Sequence, residues 1–125
     1  MQRLTSSVIA FNNNVPVSAL AGSLSIFLGG MGIHPFVNMV DFGMGIHEAI
    51  NSLRFHPAGE EIWVDSRMDI DLLKGLTNMG HKLVLKESSY GNTSFGNHVG
   101  LSFTEEKSLI SGGIDVLHNN GLKGF

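Results

Sequence analysis

Apolar residues gather along this chain in short stretches, set apart by Asn, Gly, Pro and Ser. Ser6–Phe11 and Val15–Ala21 read as two strands joined across Asn12–Asn13–Asn14, because Asn tolerates the left-handed backbone of a tight turn. Residues 22–36 are apolar but broken by Gly and Pro, which predicts a loop leading into a helix. Ile46, Ala49, Ile50 and Leu53 recur at helical spacing and predict a short amphipathic helix over about 45–53, stopped by Pro57 and Gly59. A brief strand, Glu61–Asp65, follows around Trp63.

Ser66–Arg67–Met68–Asp69 resembles a capping box, and Met68, Leu72, Leu73, Leu76 and Met79 supply the buried stripe of the helix after it. Gly80 is placed to end that helix. Lys82–Glu87 alternates as a strand, with Leu83 and Leu85 on one side and Lys82, Val84 and Lys86 on the other. After a Ser/Gly/Asn loop, 88–97, His98–Phe103 and Ser108–Ser111 predict an antiparallel hairpin over Glu105–Glu106, and the tail from Gly112 reads as irregular. Strands at both ends with helices between them make one α+β layered unit over residues 1–125.

Composition narrows the function classes. At 125 residues with 42% apolar and 15% charged, the chain is long enough for a modest core and too apolar for a disordered tail. A net charge of −3 and the lack of any Lys/Arg run argue against nucleic acid and against an anionic membrane surface. The absence of cysteine removes disulfides, thiol nucleophiles and thiolate metal sites. Arg3, Val8–Phe11 and Ala19–Leu20–Ala21 faintly mimic a secretory signal, but Asn12–Asn14 and Pro16 interrupt it, so a cytoplasmic location is expected. Sixteen glycines, clustered at Gly29–Gly30–Gly32, Gly43–Gly45, Gly112–Gly113 and Gly121–Gly124, imply tight turns, some of which could serve a ligand.

Asn38, Asp41, Phe42, Gly43 and Met44, then a helix with Glu48 and Ala49, then Arg54–Phe55–His56, follow in order and spacing a pattern known from one enzyme family. Residues 37–58 resemble the C-terminal part of the γ-glutamyltransferases, with Ser52–Leu53 standing where the family has Ala-Pro. Weaker agreement extends to Leu72–Leu76 with Met79–Gly80–His81, to Gly112–Gly113–Ile114–Asp115, and to Asn120–Gly121 through Gly124–Phe125. Upstream, Ser6–Phe11 and Val15–Leu20 resemble the paired strands before the family's glycine-rich oxyanion loop.

The resemblance implies part of an N-terminal-nucleophile hydrolase fold, a four-layer α-β-β-α sandwich, mainly antiparallel sheet with two or three helices. It further implies a threonine that attacks a γ-glutamyl amide, with its own α-amino group as base, and an acyl-enzyme passed to water or an amine. No cofactor is implied. Here the family's Thr-Thr-His start is missing, Thr5 does not match a processing site, and the closing Asp-Pro-Arg is Asp115–Val116–Leu117. This chain alone is therefore not expected to catalyse the reaction.

The resemblance also marks candidate site residues. A family Ser-Pro-Gly-Gly loop donates backbone N–H groups to the oxyanion. An ungapped alignment brings Ser23–Ser25 to that place, whereas a gap brings Leu28–Gly29–Gly30, and bare backbone favours Gly29 and Gly30 over a plain turn before a helix. Ser6–Ser7 resembles the serine pair that binds the substrate carboxylate, although paired serines at a strand start are common. For Arg54 and His56 a buried Arg–carboxylate pair or a capping contact is the cheaper explanation. The six histidines show no metal-ligand spacing, and His47–Glu48 lacks a second ligand. Gly29-x-x-Gly32 and Gly43-x-Gly45 lack the sequence that would hold phosphate, and the methionines fit helix faces.

Two readings follow: the C-terminal portion of a γ-glutamyltransferase-like enzyme whose nucleophile lies elsewhere, or a degenerate, non-catalytic module of the same fold. A free-standing metal hydrolase has almost nothing behind it. Alone, such a half-sandwich would leave an apolar face and open strand edges. The expected partner is accordingly a nucleophile-bearing segment or subunit, or a second copy of the chain, with a small γ-glutamyl or amide substrate.

Overall fold

The computed structural model describes residues 5–23, 33–91, 94–103 and 109–124. The first hairpin forms where the sequence predicts it. Strand β1 (Thr5–Asn12) and strand β2 (Val15–Ser23) are antiparallel, and Asn13 and Asn14 at the turn have φ of 48° and 65°. Two consecutive left-handed residues match the right-handed twist of the flanking strands, and Asn is the side chain that tolerates them best.

Helix α1 (Ile33–Val40) begins within the predicted loop, with Pro35 in its first turn, where the missing N–H is no loss. Helix α2 (Ile46–Asn51) buries Ile46, Ala49 and Ile50, three of the four residues whose spacing predicts it, while Leu53 falls beyond its end and is exposed. The segment expected only to stop this helix instead forms strand β3 (Phe55–Ala58), which pairs with strand β4 (Glu61–Asp65). Pro57 is tolerated because β3 is an edge strand, and Gly59, at φ 74°, opens the two-residue turn into β4.

Helix α3 (Ile70–Asn78) starts later than expected. Its cap is Asp69, whose side chain accepts from the N–H groups of Asp71 and Leu72, rather than Ser66. It ends as predicted: Gly80, at φ 94°, donates to the Thr77 carbonyl and His81 donates to that of Leu76, which together satisfy the last turn. The expected buried stripe is corrected. Only Leu73 is fully buried, Leu76 and Met68 are half-buried, and Leu72 and Met79 face solvent. The helix lies against the outermost strand, β5 (Leu83–Lys86), and that one contact covers a narrow face. Because β5 pairs with β4 in parallel, α3 serves as the crossover that such a pairing requires.

Strand β6 (Asn97–Phe103) and strand β7 (Ile110–Ile114) complete the antiparallel pair predicted near the end; its turn, with Glu105 and Glu106, lies outside the described residues. Gly112 and Gly113, read as the start of an irregular tail, belong to β7. The result is a four-stranded antiparallel sheet, β1-β2-β6-β7, beside a three-stranded mixed sheet, β3-β4-β5. The expected α+β class and the mainly antiparallel pairing hold.

Glycine decides how closely α2 approaches the large sheet. A Cβ at Gly113 would stand 2.9 Å from the Ile46 carbonyl oxygen and 3.0 Å from the His47 nitrogen. Its strand partner Gly100 lies under Ile46 and Leu20, and together they leave a flat bed for the helix. Leu20, Ile46 and Ile50 form the core there. The opposite face stays largely bare: Ile9 is 58%, Val99 38% and Leu101 39% exposed.

Gly113→Ala should destabilise the chain by about 1–3 kcal/mol, since its clash is with backbone that cannot rotate away. Gly75→Ala, at a helical position with open space, should stabilise it by roughly 0.5–1 kcal/mol. Urea unfolding of both variants checks the opposite signs.

Candidate active-site end of the large sheet

Antiparallel order brings four chain segments to one end of the large sheet: the start of β1, the end of β2, the start of β6 and the end of β7. The register lines up Ser6 with Gly22, Gly22 with His98 and, through a backbone hydrogen bond of 2.9 Å, His98 with Asp115. Ser7, one residue on, belongs to the other, bare face with Ile9, Ala19, Ala21 and Val99, and it is exposed. Gly29 and Gly30 lie outside the described residues, as does Ser25; β2 runs out at Ser23, just before that segment.

Behind this end sits a buried polar cluster. Arg54 follows α2, and its guanidinium donates to Asp115 Oδ2 at 2.7 Å, to His98 Nδ1 at 2.9 Å, and to the carbonyls of Gly96 and Phe95 at 3.2 and 3.3 Å. Asp115 takes a further hydrogen bond at Oδ1 from the Leu117 N–H, and His118 Nδ1 lies 3.3 Å from Oδ2. Around them Asn97 and Asn120 exchange amide hydrogen bonds, while Asn51 ties the end of α2 to β7 by donating to the Ile114 carbonyl and accepting from Val116.

The electrostatics follow. Burial disfavours an ionised Asp115, but the hydrogen bond and charge of Arg54, with the Leu117 N–H and His118, outweigh it and hold the carboxyl below its usual range. His34, its ring tilted 42° to that of Phe55 with centroids 4.1 Å apart, is pushed down by burial and then by the charges of Arg54 and His56; burial alone lowers His56. Both imidazoles are therefore biased towards the neutral form. A second buried carboxylate, Asp65, sits at the end of β4. Burial raises it, yet a two-pronged contact from Arg67 and a 2.6 Å hydrogen bond from Ser88 hold it at about 2.

The buried-pair explanation of Arg54 therefore holds, and its partner is Asp115, 61 residues along the chain. Sequence reasoning missed His98, Asn97 and Asn120. The usable signal was that Arg54 and Asp115 each stand in a matching motif, one a cation and one an anion. Among the described residues no group of three His, Asp or Glu could hold a metal ion.

No protein-family model and no curated protein matches this sequence. Solved structures do match the fold. A γ-glutamyltranspeptidase from Helicobacter pylori is similar at a TM-score of 0.72 and 21% identity, over 90% of this chain and 60% of that one. The Bacillus anthracis transpeptidase enzyme CapD is similar at 0.71 and 14%, over 99% and 72%. A cephalosporin acylase from Bacillus halodurans is similar at 0.72 and 18%, over 90% and 21%. The chain thus shares part of the layered α+β fold of these structures, and it spans about 60% of the Helicobacter protein's matched chain.

Removing one member of the buried pair, by Arg54→Met or Asp115→Asn, should cost about 3–5 kcal/mol, whereas the double change Arg54→Met with Asp115→Leu should cost less than the sum. Stability should also fall in acid. Asp65 and Asp115 both bind protons more weakly folded than unfolded, so their contribution is complete above the ordinary carboxylate value and is lost as pH falls below it, for Asp65 down to about 2. For Asp65 the contribution is about 2 kcal/mol. Urea midpoints between pH 6 and 2 should show the loss, and Asp65→Asn should flatten the slope.

Proposed function

We propose that this chain is the C-terminal portion of a γ-glutamyltransferase-like enzyme, transferring or hydrolysing γ-glutamyl or related amides through a threonine acyl-enzyme whose nucleophile lies on another segment or subunit. The observation that carries this reading is a fold match over nine-tenths of the chain, with the motif residues Arg54 and Asp115 joined at the sheet end that also gathers the β1 serines. In this reading Ser6 and Ser7 bind the carboxylate of the donor, and Gly29 and Gly30 offer backbone N–H groups to the oxyanion. Support comes from topology: β2 leaves the sheet beside Ser6 and runs into the segment that holds those glycines. A γ-glutamyl tripeptide such as glutathione is the donor class this implies, and an acyltransferase with a separate nucleophile segment is the enzyme class.

The bare, apolar face of the large sheet is where that missing segment would dock, and without it copies of the chain would cover the face for one another. One feature favours the second reading, a non-catalytic module: the closing Asp-Pro-Arg of the family is Asp115–Val116–Leu117 here, with Val116 exposed.

Mixed with a segment bearing a Thr-Thr-His start, the chain should release product from a γ-glutamyl anilide. Gly30→Val should lower kcat by about a hundredfold or more by spoiling an oxyanion donor. Ser7→Ala should act mainly on KM, roughly tenfold for one lost hydrogen bond to a charged group. Mixtures without turnover would leave the non-catalytic module standing. Separately, the chain alone should sediment as a dimer or larger at micromolar concentration; a clean monomer would count against the docking face.

A further inference from the structure

His98 belongs to no motif of the sequence, yet it stands between the buried ion pair and the end of β2. It is 2% exposed. Its Nδ1 lies 2.9 Å from an Arg54 guanidinium nitrogen. A guanidinium can only donate, so Nδ1 has to accept, and the proton of the neutral ring resides on Nε2. Across the strand the ring fills the space a side chain would take at Gly22: a Cβ there would stand 3.3 Å from His98 Cδ2, 3.6 Å from Nε2 and 3.1 Å from the Asn97 carbonyl. Gly22 and Ser23 are the last residues of β2.

We propose that Arg54 locks His98 as a neutral imidazole protonated at Nε2, and that this ring is the positioning residue for Gly22–Ser23, the root of the segment carrying Gly29 and Gly30. The ring touches no reacting atom; it acts by fixing where β2 ends. The charged and titratable members of its cluster are Arg54, Asp115 and His118, and Asp115 holds Arg54 in the orientation that faces Nδ1. Protonating Nδ1 would set two cationic donors against each other, so the ring should keep its tautomer across the range in which an ordinary histidine titrates. Gly22 fits the same account, since any larger residue would press on the ring or on the Asn97 carbonyl.

For turnover, the inference rests on the proposed function; for the geometry it can be tested on the chain itself. Long-range proton–nitrogen spectra between pH 5.5 and 8 should show His98 as the Nε2–H tautomer with no titration, and Arg54→Met should let it titrate. His98→Asn keeps an acceptor near Arg54 but loses the ring. It should speed amide exchange at Gly22 and Ser23 by roughly tenfold or more while Val64, in the other sheet, keeps its protection. His98→Gln, whose longer side chain refills part of the space of the ring beside Gly22, should recover part of that protection.

An Nδ1–H tautomer, ordinary titration in the unaltered chain, or exchange that rises equally at Val64 or nowhere would overturn the proposal. In a mixture that turns over, His98→Asn should lower kcat with KM within about twofold, and an unchanged kcat would also overturn it. An inert mixture would instead count against the enzymatic reading, and the tautomer and exchange measurements would still decide the role of His98.

Discussion

The rest of the structure depends on one buried contact, the 2.7 Å pair between Arg54 and Asp115. Two charges taken out of water lose hydration that their attraction barely restores, so the pair adds little net stability over an apolar one of equal shape. What it adds is specificity. Arg54 is satisfied only when the end of β7, the turn before β6 and its own segment after α2 meet at one point. A slip of β6 by one residue would turn His98 to the other face of the sheet and strand the guanidinium. The backbone carbonyl of Arg54 also accepts from the Asp65 N–H, which carries the constraint into the second sheet.

The glycines show a second constraint, that of clearance. Gly59 and Gly80 are needed for left-handed backbone. Gly100 and Gly113 are needed for a different reason: they lower the floor of the large sheet until α2 lies almost on its backbone. The sheet is closed tightly on that side and left open on the other, and apolar side chains such as Ile9 and Leu101 remain at the surface as a consequence. The large sheet is therefore well packed on one face and leaves an apolar face bare on the other.

Local rules were legible where local forces decide. Asn13 and Asn14 mark the first turn, Gly80 marks the end of α3, and the spacing of Ile46, Ala49 and Ile50 marks the buried face of α2. Legibility failed where tertiary context overrides propensity. Pro57 argues against a strand, yet β3 is an edge that needs no donor there. Gly112–Gly113 reads as irregular because the demand for glycine comes from Leu122 and α2, not from the backbone of β7. Leu72 and Met79 match the helical period, but among the described elements α3 packs against β5 alone, and these two side chains face solvent. The site was legible in outline, since Arg54 suggested a buried carboxylate partner. His98 was not, because nothing local ties it to a residue 44 positions earlier.

The chemistry of the cluster also limits what it can do. A general acid or base has to exchange its proton near the working pH. Asp115 is held ionised into acid by Arg54, and the guanidinium itself does not deprotonate. His98 has Nδ1 occupied by a cationic donor. Each member is committed to another, so none is available to activate a hydroxyl. The cluster is therefore support for the sheet end in front of it. Ser7 lies exposed on the bare face, while Arg54, His98 and Asp115 hold that end from behind.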